Sequence, residues 1–493
     1  MTPLSVLPLA LAAGGGRVNE YETQQLVAAG LTLLQRSAPL VRALQRRRAA
    51  VLLPTSPAFV TALAACEGRG AVLVNPLAAP AEVAYQLADA NAGAAFTTTA
   101  LAARLPAGVV TVLLDDAPRR ARVIADGRST DVDLGSHFGL PLEGERDVPG
   151  RDEEAAIVYT SAMAGRALGA VLTHRNLLAN GRSCVEAARN VADDHVLALL
   201  PFSHLFGLTV TGTAPLLAGA RVTTMERFHP VRAIELVERE GISEVVGVPS
   251  VFGALLSVLD RRGARLASER LRLCICGGAP LPRELQDRWA DLTGVELRQG
   301  YGLTEAGPVS LFNRVDLPNR RGTLGVPFPG VEVTVRRPLG GAPAAARDPY
   351  PELPRGEPGE ICVRGDNVSP GYLRDGHLGL PRHGGWLGTG DLGAANADGT
   401  VTFLGLIKPM FTRNGFNIYP REIERVVGEM PGVRAVRVRA VPAPAREHDI
   451  ALEVEVEGTV TEAEVRAWCE PRLSAYKQPS EVAVAARAAA GDA

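Results

Sequence analysis

The spacing of apolar positions changes along the chain, and it divides the sequence into three regions. Between Ala38 and about Ala100, helical spacing alternates with short continuous apolar runs. "APLVRALQRRRAAVLLPTSPAFVTALAACEGRGAVLVNPL" predicts a helix, a strand at Ala50–Leu53, a helix at Ala58–Glu67 and a strand at Ala71–Val74. "PAEVAYQLADANAGAAFTT" adds a helix, a Gly turn and a strand. The alternation returns in "ARVTTM", a helix at Val231–Glu240, "SEVVGVPS", a further helix and "LRLCICGG". β-rich runs separated by helices predict parallel strands with crossover helices, so roughly the first 400 residues read as an α/β body.

From about Pro327 to Asp391 the text shortens its period. "GVEVTVRRP", "GEICVRG" and, a little later, "TVTFLG" predict short strands between Gly and Pro, as in a small β-barrel or meander over about residues 327–404. "GGAPAAARDPYPELPRGEPG" reads as an exposed loop. After Gly405 comes an α+β tail, with a helix at Pro420–Glu429, strands near "VRAVRVRAVP" and "IALEVEVEG", and a helix at Glu462–Leu473. The expected division is an N-terminal core over residues 1–406 and a C-terminal domain over 407–493, with a hinge near Lys408. A length of 493 residues agrees with more than one hydrophobic core. No internal repeat is visible.

Composition narrows the function classes. The chain is 46% hydrophobic and 22% charged, with a net charge of -2, which gives no electrostatic reason to expect nucleic acid or an anionic membrane as partner. No apolar run reaches the ~18 residues of a membrane helix. The opening "MTPLSVLPLALAAGGG" lacks the basic segment of a signal peptide, so a cytoplasmic protein is expected. Six cysteines do not make a disulfide framework, and Cys274 and Cys276 read as buried residues on one strand face. The histidines form no i, i+4 pair of the zinc-binding kind.

Candidate chemistry lies in ordered short motifs. "IVYTSAMAGRALGAVLTHRNLLANG" (Ile157 to Gly181) reads as a strand, a small-residue loop and a helix start, the build of a phosphate loop, yet Ala162 to Ala170 holds no lysine and no hydroxyl. Further along stand "LPFSHLFGLT" (Leu200–Thr209), "GGAPLP" (Gly277–Pro282), "QGYGLTEAGP" (Gln299–Pro308), "WLGTGDLG" (Trp386–Gly393) and "GFNIYPREIE" (Gly415–Glu424). In the third of these, a hydroxyl beside a carboxylate on a Gly-flanked loop suits phosphate and a hard cation.

Together and in this order, over about residues 40 to 480, these motifs resemble the adenylate-forming superfamily of acyl-CoA synthetases, luciferases and peptide-synthetase adenylation domains. The resemblance implies a large α/β domain with a β-barrel part and a small mobile C-terminal domain. It implies an adenine loop at Gly278, Ala279 and Pro280. It places Gln299, Gly300, Tyr301, Gly302 and Thr304 around the nucleotide, with Tyr301 stacked on adenine, Thr304 bonded to phosphate and Asp391 on the ribose hydroxyls. Glu305 would hold Mg²⁺ where Mg²⁺ is used. His204 would stand between adenylate and thiol channel, Gly415 would let the channel backbone pass close to the thiol arm, Lys408 would sit at the hinge, and amides near Gly302 would polarise the carbonyl. The acyl pocket is expected to involve His204, Val248, Phe252 and Gly278.

Three departures stand out. The family loop reads roughly T-S-G-[ST]-[ST]-G-x-P-K-G, but here Met163 and Ala164 take the hydroxyl positions and Leu168 the lysine position, with Arg166 two residues early. The terminal "P-K-[ST]-x-x-G-K" is missing, and no lysine follows Lys477. Leu406 replaces an arginine in "GLIK". The lost groups serve attack on ATP, and charge-assisted donors of that kind are the strong ones. The retained ones serve the adenylate and the thioester step. The expected activity is therefore acyl-adenylate + CoA to acyl-CoA + AMP, with CoA and AMP bound and a separate enzyme supplying the adenylate. This resembles the non-adenylating ligases of bacterial natural-product pathways, including antibiotic biosynthesis. Two alternatives remain open: a complete ligase of low adenylation activity, using ATP and Mg²⁺, and a non-catalytic adenylate- or CoA-binding partner protein.

Overall fold

The computed structural model describes residues 7–486, apart from 46, 67–68, 136–148, 161–165, 339–350, 374–377, 380–381, 408–409 and 444. Two large sheets form the body. In the first, strands Glu154–Thr160, Ala71–Leu73, Arg48–Val51, Ala92–Thr97 and Val110–Leu113 lie side by side and parallel, with antiparallel strands at both edges. In the second, the parallel run is Leu297–Gly302, Leu273–Cys276, Glu244–Gly247, His195–Ala198, Arg221–Thr224 and Arg17–Val18. The interior strands carry continuous buried runs such as "LCIC" at 273–276, the pattern of strands covered on both faces. All six cysteines are buried and none forms a disulfide.

Helix His174–Ala188 packs on strands of both sheets. Thr173 caps it: the Thr173 hydroxyl accepts the Asn176 amide, and the Asn176 side chain accepts the Thr173 amide at 2.8 Å. The sequence pattern predicted that the small-residue loop would lead directly into this helix. Instead, strand Leu168–Thr173 intervenes and pairs antiparallel with Glu154–Thr160, Thr160 opposite Leu168. The two strands thus form an antiparallel pair, and the helix begins only after the second of them. The run "LGAVLT" has β-branched and apolar residues in a short stretch, which pairing with a neighbour turns into strand.

The third sheet is antiparallel: Val331–Arg336, Gly359–Gly365, Trp386–Ala395, Arg382–His383 and Val401–Leu406. The C-terminal region has its own core, with Ile423, Val427, Ile450, Val465 and Cys469 all fully buried. Helices Pro420–Gly428 and Glu462–Cys469 cover strands Val433–Ala443, Glu447–Val456 and Glu481–Ala486. Observed ends differ from the sequence expectations by one to four residues, as for Pro57–Ala65 and Glu462–Cys469.

This small region is tied to the large one through helix Pro80–Asp89. Lys477 Nζ donates to Glu82 Oε1 and to Glu422 Oε1, each at 2.7 Å, and Ser474 bonds Glu82 as well. Lys477 is only 5% exposed. Burial alone would lower its pKa, but Tyr476, Glu422 and Glu82 together hold it above the ordinary lysine value.

Candidate active site

A cavity of 960 Å³ opens where the parallel strands of the second sheet end. Open α/β sheets bind ligands outside the carboxyl ends of their strands, because the loops leaving those ends diverge there. Here the loops after Leu273–Cys276 and Leu297–Gly302 bring Gly278, Ala279, Pro280, Thr304 and Glu305 to the cavity, and Gln299, Gly300, Tyr301 and Gly302 line it from the strand itself.

The Tyr301 hydroxyl donates to Asp391 Oδ2 at 2.7 Å. Burial first, and then the Asp391 charge, push the Tyr301 phenol well above its ordinary pKa, so it stays a donor. Asp391 is buried on strand Trp386–Ala395, where its own amide donates to the Thr389 hydroxyl at 3.1 Å. Two strands from different sheets therefore deliver one phenol and one carboxylate to the same place.

Glu305 accepts the Tyr372 hydroxyl at 2.5 Å, and the Thr160 hydroxyl lies 3.5 Å from the same oxygen. Burial and the Glu305 charge raise the Tyr372 pKa. A hard cation carried in with phosphate would find in Glu305 a single carboxylate among hydroxyls, a donor set that suits Mg²⁺.

Across the cavity stands His204, in the loop after strand His195–Ala198. Burial lowers its pKa to about 4, so the ring is neutral near pH 7. Its Nδ1 accepts the Phe206 amide at 3.2 Å, which places the ring proton on Nε2. His204 is thus a neutral donor rather than a base.

The hairpin Phe411–Arg413/Phe416–Ile418 closes the cavity from the C-terminal side. Its Gly415 has φ of +74°, and a Cβ there would lie 2.4 Å from Val248 Cγ1. Gly278 faces the same spot, with φ of +78° and the Gly415 carbonyl 3.8 Å from where its Cβ would be. The Gly415 amide donates to Glu447 Oε2 at 3.1 Å. The next residue, Phe416, stacks on Tyr476 at 4.3 Å between centroids, and Tyr476 adjoins Lys477. The hairpin and the Lys477 contacts are therefore one mechanical unit.

The family model described as AMP-binding enzyme matches residues 35–373. The chain belongs to the AMP-binding enzymes, in their acyl-CoA ligase branch. A feruloyl-CoA synthase of an Amycolatopsis species is 33% identical over 88% of this chain and 84% of its own. A 4-coumarate–CoA ligase of Oryza sativa subsp. japonica is 31% identical over 87% and 79%. Among solved structures, ATP-bound MatB from Rhodopseudomonas palustris superposes with a TM-score of 0.69 at 28% identity, covering 98% of this chain and 95% of its own. Mixed α/β architecture with a large sheet domain, a half-barrel sheet and a small C-terminal domain is that of the superfamily.

In this ligase the structure brings His204, Gly278, Ala279, Pro280, Gln299, Gly300, Tyr301, Gly302, Thr304, Glu305, Asp391 and Gly415 onto one cavity. Phe252 is not among them. Its ring is fully buried and packs edge-on against Trp289 at 4.9 Å, because its position on helix Pro249–Arg262 turns it into the core. Val248 touches the site through Gly278 and Gly415. Lys408 and most of the phosphate-loop positions, 161–165, lie outside the described residues. Arg166 leans over the Tyr85 ring, 5.8 Å from its centroid, rather than lining the cavity. Leu168 does line it, as does Leu406.

Sequence reasoning missed Tyr372, Thr160 and Tyr419, which also line the cavity. Tyr372 arrives only because strand Gly371–Leu373 pairs with Leu168–Thr173, Tyr372 opposite Ala170. No local pattern signals that pairing. Among the described residues no helix is long and apolar enough to cross a membrane.

Proposed function

We propose that this ligase forms acyl-CoA from a preformed acyl-adenylate, releasing AMP, and that a separate enzyme supplies the adenylate. The observation that carries this reading is the placement of the last lysine. Lys408 and Lys477 are the only lysines in the chain. Lys477 is engaged by Glu82 and Glu422, in an arrangement that sets the Gly415 hairpin against Gly278 and Val248. Lys477 is committed to that seat, and Leu168 stands where the phosphate loop would carry a lysine to stabilise charge at an attacked phosphate.

The chemistry needs little beyond positioning. The CoA sulfur attacks the acyl carbonyl carbon, the bond from that carbon to the phosphate oxygen breaks, and AMP leaves with the electron pair. The thiol proton goes to solvent or to the departing phosphate. Asp391 and Tyr301 hold the nucleoside, His204 donates from Nε2 toward the developing negative charge, and the Gly415 hairpin excludes water and lines the thiol's approach. Non-adenylating ligases of this type suit natural-product biosynthesis, antibiotics included, in the cytoplasm.

The division of half-reactions is directly measurable. Carboxylic acids with ATP and Mg²⁺ are expected to release no pyrophosphate above background, while synthetic acyl-adenylates with CoA give acyl-CoA by mass spectrometry. Pyrophosphate release at ordinary ligase rates would sink the reading in favour of a complete ATP-dependent ligase, the reading that the relatives' own names favour. Tight adenylate binding with no thioester would point to a non-catalytic partner.

A further inference from the structure

The chemistry above leaves the thiol proton without an acceptor on the protein. An acceptor has to line the cavity, offer a lone pair and sit on the side from which the thiol arrives. Most titratable groups on the wall fall short. Burial raises the phenols of Tyr301, Tyr372 and Tyr419, so each keeps its proton. The carboxyls already hold donors: Glu305 the Tyr372 hydroxyl, Asp391 the Tyr301 hydroxyl, Glu360 the Gly390 amide, and Glu244 both Asn190 and Arg272. His204 presents a proton at Nε2 instead of a lone pair.

His448 differs. It is half-buried at the start of strand Glu447–Val456 and lines the cavity from the small-domain side. Its Nδ1 lies 3.1 Å from the Thr412 carbonyl oxygen. A carbonyl only accepts, so Nδ1 carries the ring proton and Nε2, across the ring, carries the lone pair. Among the described residues nothing bonds Nε2. The two imidazoles on this cavity are thus opposite tautomers, His204 a donor on one wall and His448 an acceptor on the other.

The hairpin that lines the thiol's approach fixes where His448 stands. Thr412 precedes Gly415 by three residues, at most about 11 Å of chain. The Phe411 and His448 rings meet edge-on, 5.6 Å between centroids. The residue before His448, Glu447, accepts the Gly415 amide on Oε2 at 3.1 Å. Consecutive residues therefore hold the hairpin at Thr412 and at Gly415, and His448 travels with the wall that carries Gly415. Neighbouring charge does not oppose an imidazolium here. Arg446 and Arg413 both pair with Asp449, at 2.8 and 3.2 Å. Burial raises the Glu447 carboxyl, and the Gly415 and Asn414 amides and then a charged His448 act against that rise.

We propose that His448 is the general base of thioester formation. Nε2 takes the thiol proton as the sulfur bonds to the acyl carbon. The bond from that carbon to the phosphate oxygen breaks, AMP leaves with the electron pair, and the imidazolium passes its proton to the departing phosphate or to solvent. The proposal rests on the reading that thioester forms in this cavity.

The test uses the full chain, a synthetic acyl-adenylate and CoA. His448→Gln keeps an amide donor for the Thr412 carbonyl but cannot take up a proton, and His448→Ala leaves room for a free imidazole. In both, kcat for acyl-CoA formation is expected to fall about a hundredfold, with adenylate affinity by calorimetry and KM for CoA within about twofold. Added imidazole is expected to raise the rate of His448→Ala at least about tenfold and to leave His448→Gln and the unaltered protein as they were. A rate in His448→Gln within about threefold of the unaltered protein overturns the proposal, whether or not His448→Ala folds, because a general base is worth far more. A loss in both variants that imidazole does not relieve also overturns it, since it makes His448 structural. Failure of the proposed half-reaction looks different: acids with ATP then release pyrophosphate while the imidazole rescue of thioester formation persists. No thioester from the unaltered protein overturns both.

Discussion

The large-domain wall of the cavity grows out of buried sheet ends, whereas the small-domain wall reaches it through contacts such as Gly415 against Val248 and Lys477 and Ser474 against Glu82. Tyr301, Gly278 and Glu305 sit at most a few residues from fully buried strand positions such as Cys276 and Leu297, so their places are fixed by packing that also holds the fold together. The hairpin carrying Gly415 has no such backing on the large-domain side. On the proposed function, nucleotide binding would be secured by the core and the thioester geometry by a few removable contacts.

That contrast breaks most sharply at Gly415. Gly415→Val puts a branched side chain where a Cβ would already lie 2.4 Å from Val248, at a positive φ. Thioester formation from a synthetic adenylate is expected to fall by about a hundredfold or more, since displacing a positioned wall by an ångström costs that much. Adenylate affinity, measured by calorimetry, is expected to stay within about twofold, because loss of an interaction realised only in the reacting arrangement leaves ground-state binding unchanged. A matching drop in affinity would merge the two walls into one.

Lys477→Met comes next. It leaves Glu82 and Glu422 facing each other without their cation, a change that costs about 3 kcal/mol for a buried pair. The expected signature is undocking: lower thermal stability and faster proteolysis around residues 406–410, with adenylate binding kept. Unchanged proteolysis would mean the small domain is held by other contacts.

Tyr301→Phe tests the rigid wall. Removing the hydroxyl that donates to Asp391 is expected to weaken adenylate binding about fivefold, or about 1 kcal/mol, without altering domain docking. The last effect is in pH, and it vanishes at neutrality. His204 has a folded pKa of about 4 against an ordinary 6.5, so the unfolded chain binds the proton more readily between those values. Its contribution is fully present above pH 6.5 and lost as pH falls toward 4. His204→Phe is expected to flatten the acid limb of stability in that window by up to one proton, read from urea unfolding at several pH values.

Much of this was legible from sequence where the signal is local. The parallel strands announce themselves as short apolar runs, and Tyr301, Thr304, Glu305 and Asp391 stand in motifs whose order names the family. Pairings between distant segments were not legible. The strand pair behind Thr160 depends on Leu168–Thr173 finding its neighbour, and Tyr372 reaches Glu305 only through a further strand on the same edge. Phe252 was expected in the pocket because its helix starts there, yet a helix turns each residue by a large angle and this one meets Trp289. Lys477 stood out in the sequence only as the last lysine, and nothing nearby pointed to Glu82, whose partnership spans 395 positions.

The scarcity of lysine has a practical consequence. With Lys477 5% exposed and one of only two lysines in the chain, its amine is shielded from acylating reagents for as long as the small domain stays seated on Glu82. The rate at which such a reagent marks Lys477 then becomes a clock for domain release in the unmodified protein, with no engineered probe, and substrates that change the seating will change its tempo.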